Sequence, residues 1–328
     1  MRYLKRICLI SFLTLSILSL SLTAVFAFET NKYGLPSDNT NKMAIYSITN
    51  SFNITINKDY MHYAEHDSNG TTLDNEDAGI PGVNLSLEGI PNPKIPVWYE
   101  LNYSDYSGNS TYTGQLQNGV PYDTTDHIGY INYGFRAGYA FVVDNNKMAI
   151  IPNAGFEWMN WNRNVINPDG SSNVEHYRFD RYLVGIKAYY LITNKLWLEG
   201  EGYYTHGTDN SMDNNAFVPT AYLVDSSGNI IGEAGNYENQ SFELGNKSGF
   251  LFGAKIGYRA YNSGLLSISP YISANYSQLR VDKSNTITHI VPAYLSNGTL
   301  VGYGTYAVWE PQSQTNELFI GFGVKIGF

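Results

Sequence analysis

The last eleven residues of the chain alternate between two kinds of side chain. Large apolar residues occupy every second position from Leu318 to Phe328, and glycine or lysine fills most positions between them. Successive side chains of a β-strand point to opposite faces, so this segment predicts a strand with one fully apolar face. A water-soluble domain would bury that face under further structure, whereas here the sequence ends on an aromatic residue. We therefore expect lipid to cover the apolar face.

This ending resembles the last strand of small bacterial outer-membrane β-barrel proteins of the OmpA-like and porin-like kind, which finish on phenylalanine with apolar residues at alternating positions. The residues that match this assembly signal are Phe322, Val324, Ile326 and Phe328. The resemblance implies insertion by the barrel assembly machinery into a membrane of lipid and lipopolysaccharide. Specific motifs support the resemblance only at the two ends of the chain, whereas the remainder of the mature chain matches only in its general alternating pattern.

The first 27 residues predict a cleaved secretory signal peptide. A basic start is followed by an apolar run and a small-residue exit at Ala27, which is the pattern of an export signal. Cys8, the one cysteine of the chain, lies within it, so the exported protein is expected to have no thiol or disulfide chemistry. We expect residues 28–51 to form a polar periplasmic lead, with no helix after the signal, and residues 52–328 to form the barrel.

The charge balance argues against a nucleic-acid partner. Removing the signal leaves 17 basic against 29 acidic residues, a formal charge of −12, whereas nucleic-acid surfaces are basic. Only 15% of residues are charged, while the sequence contains 28 tyrosines and 31 glycines. Such a composition suits strands that face lipid on one side and a polar lumen on the other.

Period-two alternation predicts an all-β fold, a transmembrane antiparallel up-and-down barrel of ten strands. The segments are 52–66, 80–90, 95–107, 127–143, 147–162, 178–192, 195–206, 247–261, 264–281 and 315–328. Their connections alternate between tight turns and long loops, as in outer-membrane barrels with both termini in the periplasm. Twelve strands is the alternative, if one loop hairpin belongs to the membrane wall.

The same alternation predicts a charged lumen. By parity, seven acids and seven bases point inward: Glu65, Glu88, Glu100, Glu157, Glu199, Glu201, Glu317, Arg136, Arg163, Arg181, Lys187, Lys255, Arg259 and Lys325. A barrel of about ten strands is too narrow for a wide aqueous channel, and buried charges need partners. We expect a salt-bridged plug rather than a conduction path.

The two longest loops contain a related phrase, "VPTAYLVDSSGNIIG" from Val218 and "VPAYLSNGTLVG" from Val291. Each predicts a strand, a tight turn and a second strand. We expect extracellular hairpins that continue the barrel wall above the membrane. Apolar residues at their tips are alternatively a surface for an extracellular ligand.

Three residues near the strand tops are the candidates for catalysis: Asp105, His206 and Asp209. Ten strands with carboxylates and a histidine at those places resemble omptins, outer-membrane proteases in which an Asp-His pair and an Asp pair activate water. The match is partial, since "NYSDYSG" supplies one aspartate where omptins place two. No motif indicates a metal or a cofactor, and the spacing of Asp123, Asp126 and His127 matches no metal site.

The sequence thus favours a non-enzymatic barrel of the bacterial outer membrane that acts through its surface loops, in envelope structure or in partner binding and adhesion. A narrow, porin-like diffusion pore is the first alternative. An omptin-like surface protease is the second.

Overall fold

The computed structural model describes residues 40–92, 95–115, 121–166, 172–263 and 266–328; the predicted signal peptide lies outside these ranges. Within these ranges one helix, α1 (Thr40–Thr49), precedes fifteen strands. They are β1 (Ser51–His66), β2 (Thr72–Gly89), β3 (Val97–Gln115), β4 (Pro121–Tyr139), β5 (Phe141–Val143), β6 (Met148–Ile166), β7 (Ser172–Leu191), β8 (Leu196–Val224), β9 (Ile230–Glu243), β10 (Lys247–Tyr258), β11 (Tyr261–Asn262), β12 (Ser267–Val281), β13 (Ile287–Leu295), β14 (Leu300–Val308) and β15 (Gln312–Gly327).

Ten of these strands close into an antiparallel barrel. Their order is β1-β2-β3-β4-β6-β7-β8-β10-β12-β15, and β15 returns to pair with β1 from Ser51↔Gly327 to His66↔Gln312. The ten-strand prediction is confirmed, and the twelve-strand alternative is wrong, because β9, β13 and β14 lie outside the closed ring. β5 and β11 are short strands that pair with β6 and β12 near the tight turns.

The long loops are strand hairpins, as the repeated phrases predicted. β8 continues well beyond its barrel partners and pairs with β9, while β13 pairs with β14. The two hairpins join where β13 runs parallel to the end of β8, from Ala293↔Tyr222 to Leu295↔Val224. The strands β9, β8, β13 and β14 therefore form one four-stranded sheet above the barrel, which we call the hairpin sheet.

Glycines with positive φ close the two turns of the hairpin sheet. Gly228 has φ 86° and Gly298 has φ 82°, a left-handed conformation that residues with a Cβ seldom adopt. Asp225 stabilises the first turn, since its carboxylate accepts hydrogen bonds from the backbone N–H groups of Ser227 (2.8 Å) and Asn229 (2.9 Å). The turns at Gly228 and Gly298 therefore have the defined backbone geometry of tight hairpin turns.

An apolar band surrounds the outside of the barrel. On β7 the outward side chains Tyr182, Val184 and Ile186 are 57%, 59% and 53% exposed, and Leu318, Ile320 and Phe322 on β15 are exposed in the same way. Exposed aliphatic residues bounded by aromatics are typical of a lipid-facing wall. The band ends near Tyr60, Tyr182 and Leu318, and the strands continue beyond it toward the long hairpins.

Helix α1 closes the end of the lumen at which the tight turns lie, so the prediction of no helix after the signal is wrong. Ile45 and Ile48, three residues apart and therefore on one helix face, are fully buried among Trp98, Tyr189 and Trp197. Two apolar residues on one face of a single short helix give a weak sequence signal, which is why the pattern did not predict it. Among the described residues, no helix is long and apolar enough to span a bilayer.

Candidate functional site

A network of ten ion-paired side chains fills the lumen above helix α1. At its centre the Nζ of Lys187, which is fully buried, lies 2.9 Å from Glu88 and 3.3 Å from both Glu100 and Glu199. The ten members balance in charge and were all among the fourteen residues that parity placed inside. They are Glu88, Glu100, Glu157, Glu199, Glu201, Arg136, Arg181, Lys187, Lys255 and Lys325.

Lys325 of β15 connects this network to the helix. Its Nζ donates to Glu88 (2.9 Å), to Glu199 (2.8 Å) and to the backbone carbonyl of Ile48 (2.9 Å). Arg259, also predicted to face inward, donates to the hydroxyl of Ser47 on the same helix (2.7 Å) and to the carbonyl of Asn194 (2.7 Å). The helix is therefore held by lumen cations as well as by apolar packing.

The upper part of the network surrounds a small polar cavity. Arg136 binds Glu157 at 3.0 Å and Glu201 at 3.2 Å, and Arg181 binds Glu157 at 2.7 Å. The cavity next to them has a volume of about 110 Å³, room for a few water molecules. Glu317 also lines it. Tyr106 and Tyr130 also line it, and both belong to an aromatic cluster that includes Trp161 and Phe179.

A second cluster of charges lies in the mouth of the barrel, above the apolar band, and it is not balanced. Arg163 is buried and binds Glu175 at 2.8 Å, Glu76 at 2.9 Å and Glu65 at 3.5 Å. A fourth carboxylate, Asp126, lies 3.7 Å from it. Within the described chain these four acids have no other cation within 4 Å. One guanidinium therefore compensates carboxylates from four different strands.

Glu310 joins this mouth cluster to the hairpin sheet. It lies between β14 and β15, its backbone N–H donates to the hydroxyl of Ser284 (2.8 Å), and its carboxyl accepts a hydrogen bond from Tyr177 (2.5 Å). Burial raises the pKa of Glu310 to about 8, and the nearby Glu175 adds to the rise, while Tyr177 and Arg163 oppose it. The base of the β13–β14 hairpin therefore rests on a carboxyl group that is protonated below about pH 8.

We expect this hairpin base to weaken as pH rises. A carboxyl with a raised pKa in the folded state contributes stability that is complete below its ordinary pKa and is lost as pH passes its folded value, about 8 here. Reversible denaturant titrations at pH 6 and pH 9 should show a larger loss of stability for the wild type than for Glu310→Gln, which cannot ionise. Glu233→Gln, at an exposed position of β9, is the matched control. Equal losses in wild type and Glu310→Gln would contradict the expectation.

The three candidate catalytic residues face the outside of the barrel. Asp105 of β3 pairs with Ile131 of β4, and both its neighbours along the strand are buried. His206 and Asp209 lie on β8, opposite Tyr182 and Asp180 of β7. Strands β4, β6 and β7 separate β3 from β8. The structure therefore places His206 and Asp209 on one strand but does not bring Asp105 to them, and none of the three points into the lumen.

The hairpin sheet carries most of the apolar side chains that are exposed outside the lipid band. Its interior is packed around Tyr222, Val224 and Val291. Its surface exposes Ile290 (75%), Tyr303 (69%), Ile230, Ile231, Tyr237, Leu300 and Val301. Contiguous apolar side chains exposed to water mark interaction surfaces or ligand-binding grooves. Within the described chain no group of three or more His, Cys, Asp or Glu side chains could hold a metal ion.

The period-two alternation of the sequence did not predict several of the charged residues that face inward. Glu76, Asp126 and Glu175 lie just before the predicted starts of their strands, and Glu310 lies outside the strands. Asp59 was within a predicted strand, and it shares the inward parity of Asn57 and Met61. Extending the same alternation by a few residues toward the extracellular side would have found Asp126 and Glu76.

Comparison with known proteins gives similarity of fold alone. No protein-family model matches the chain, and no curated protein matches it. The outer-membrane protease OmpT from Escherichia coli aligns with 10% identity over 85% of this chain and 97% of its own, at a TM-score of 0.47. The transport unit of the autotransporter AIDA-I from Escherichia coli aligns with 10% identity over 93% of this chain and 97% of its own, at a TM-score of 0.40. These likenesses concern the fold, and the chain itself is a closed ten-stranded antiparallel β-barrel with an apolar outer band.

Proposed function

We propose that this protein is a non-enzymatic, non-conducting barrel of the bacterial outer membrane that acts through its hairpin sheet, by binding a partner outside the cell. The observation that carries this proposal is the contrast between the two ends of the molecule. The lumen is filled with compensated charge, while the hairpin sheet presents apolar side chains to water.

The filled lumen argues for a structural interior. Helix α1 and the ten-membered charge network lie in series along the lumen, and the cavity that the upper part of the network surrounds has a volume of about 110 Å³. Ions crossing the barrel would have to break ion pairs such as that of Lys187, whose Nζ is buried beneath three carboxylates. Breaking such buried pairs costs several kcal/mol.

The hairpin sheet supports the binding role. Ile290 and Tyr303 are more exposed than most lipid-facing side chains of the wall, although they lie where water rather than lipid surrounds them. Side chains of this kind are costly to leave in water, and they mark surfaces that are covered in a complex. The ordered turns at Gly228 and Gly298 limit the entropy that such a surface loses on binding.

Planar-bilayer recordings test the closed lumen. We expect purified protein to give no steady unit conductance at moderate voltage, because helix α1 and the charge network block the pore. A variant lacking residues 40–49 and carrying Lys187→Ala and Glu100→Ala serves as the positive control for insertion, since it removes the helix and shortens one oppositely charged pair at the centre of the network. Reproducible unit currents from the wild type would contradict the proposal and favour the diffusion pore.

A second experiment tests the role of the sheet. Replacing β13–β14 and the part of β8–β9 above residue 214 by short Gly-Ser turns should leave the barrel assembled, as judged by heat-modifiable mobility. Retention of cells on protein-coated surfaces, or of cells with one another, should fall. Retention that is unchanged in the trimmed protein would contradict the proposal. Peptide cleavage by the wild type that is lost in His206→Ala would instead support the protease.

A further inference from the structure

Strand β14 has an open edge. It pairs with β13 on one side, and no other described strand pairs with it on the other. An open edge presents N–H and C=O groups at a spacing that only another extended polypeptide can pair. Natural edge strands are usually protected by charges or proline, yet the nine residues of β14, "LVGYGTYAV", include neither.

The charge distribution identifies which surface of one copy can meet another. The whole sequence carries a formal charge of −9, so two copies repel each other over most of their surfaces. The β13–β14 hairpin, from Ile287 to Val308, contains no Asp, Glu, Lys or Arg, and its one histidine, His289, lies on β13 rather than on the open edge strand. Its charge-free edge can approach the same edge of a second copy without that repulsion.

The position of Pro292 fixes which peptide groups face the open edge. Pro292 lies opposite Tyr303 and has no N–H to donate. In an antiparallel ladder, a proline fits at a position where the two opposite residues are not hydrogen-bonded to each other. At such a position the residue opposite the proline directs its own N–H and C=O to the other side of its strand. By alternation, Tyr303, Thr305 and Ala307 direct their peptide groups to the open edge.

We infer that β14 is a homotypic contact strand, which pairs antiparallel with β14 of a second copy about a two-fold axis at Gly304. In this register Tyr303 lies opposite Thr305 of the second copy, and Val301 lies opposite its Ala307. The peptide groups that face the open edge then form the hydrogen-bonded pairs of the ladder. An aromatic side chain opposite a β-branched one is a favourable cross-strand pair.

Antiparallel pairing places the two copies in facing membranes. Strands that rise from the same membrane run in the same direction, whereas strands from two facing membranes run in opposite directions. β8 extends twenty residues beyond Tyr204, which carries the hairpin sheet roughly 50 Å outward once strand tilt is allowed for. The contact therefore joins one cell to another. This inference rests on the proposed function and names the partner as the protein itself.

A charge swap across the edge tests the contact. One variant carries Tyr303→Lys and Thr305→Lys, and the other carries Tyr303→Glu and Thr305→Glu. Cells that display the wild type should clump, as measured by sedimentation and flow cytometry of two dye-labelled populations. Cells that display only one of the two variants should form clumps at least about tenfold less often than wild-type cells. The reason is that like charges then lie opposite each other at two positions of the contact. An equal mixture of the two variants should form mixed clumps.

Ile230→Lys with Ile231→Lys provides the matched control, since both residues are exposed apolar side chains on β9. This control should clump like the wild type, and heat-modifiable mobility should show that all variants are assembled. Failure of the mixed variants to clump overturns the inference, as does an equal loss in the β9 control. Wild-type cells that do not clump but lose retention on other surfaces when the hairpins are trimmed would overturn the homotypic contact and leave the proposed function intact.

Discussion

Replacing Arg163 by alanine should destabilise the barrel by about 3 to 5 kcal/mol, the cost of removing one partner from a buried ion pair. The guanidinium compensates Glu65, Glu76, Asp126 and Glu175, and no other described cation lies within 4 Å of them. Without it, the carboxylates remain in a dry environment and must bind protons to avoid an uncompensated charge. The free energy of unfolding, from reversible urea titrations in detergent, should therefore fall more at pH 8 than at pH 5.

Arg178→Ala is the control for this experiment. Arg178 lies on the same strand as the partner Glu175, but its side chain is 66% exposed and 3.4 Å from Asp213. Exposed pairs contribute little, so its replacement should change stability by less than about 1 kcal/mol. Equal effects of the two substitutions would show that the mouth of the barrel is wet and that Arg163 is solvated.

Replacing Lys187 by methionine should cost on the order of 3 kcal/mol. Methionine keeps most of the volume, so the loss reports the charge rather than a cavity. The effect should be smaller than that of Arg163→Ala, because each of the three carboxylates bound by Lys187 keeps another cation. Lys325 remains on Glu88 and Glu199, and Arg136 remains on Glu100.

Lys195→Met is the matched control, since Lys195 is exposed in the tight turn between β7 and β8. Its replacement should leave the unfolding midpoint unchanged. Slow unfolding can hide a difference in the free energy of unfolding in a thermal scan. The comparison therefore requires denaturant titrations in which unfolding and refolding give the same curve. A stability of Lys187→Met equal to that of wild type would indicate a hydrated lumen and remove the main support for a closed barrel.

The sequence predicted the barrel because lipid imposes one rule on every strand. Each wall residue faces either lipid or lumen, so period-two alternation repeats ten times, and the number of strands follows. The predicted strands were too short at the end of the barrel that carries the long hairpins. For β8 the prediction ended at residue 206, whereas the strand ends at Val224. Beyond the apolar band the outward side chains are more often polar while the inward side chains stay buried, so the apolar–polar alternation is harder to recognise in the sequence.

Parity also predicted which charges face inward, but not their partners. Lys187 and Glu88 are 99 residues apart in the chain, and their contact depends on strand register and barrel diameter, which alternation does not determine. The mouth cluster was missed for the same reason as the strand ends. The roles of the hairpin edge and of helix α1 arise from tertiary contacts, and a single sequence carries little information on these.

The position of Lys325 has a consequence for the order of assembly. This lysine lies on β15, the strand furthest along the chain, yet its ammonium group binds Glu88, Glu199 and the end of helix α1. Before β15 docks between β12 and β1, those two glutamates lack one of their cations and the helix lacks an anchor, so water must fill the half-formed interior. Docking of the last strand and drying of the lumen are thus one cooperative step. A barrel in which β15 has not yet paired with β12 and β1 would still have a hydrated lumen. Rapid exchange of lumen-facing hydrogens with solvent would distinguish it from the closed barrel.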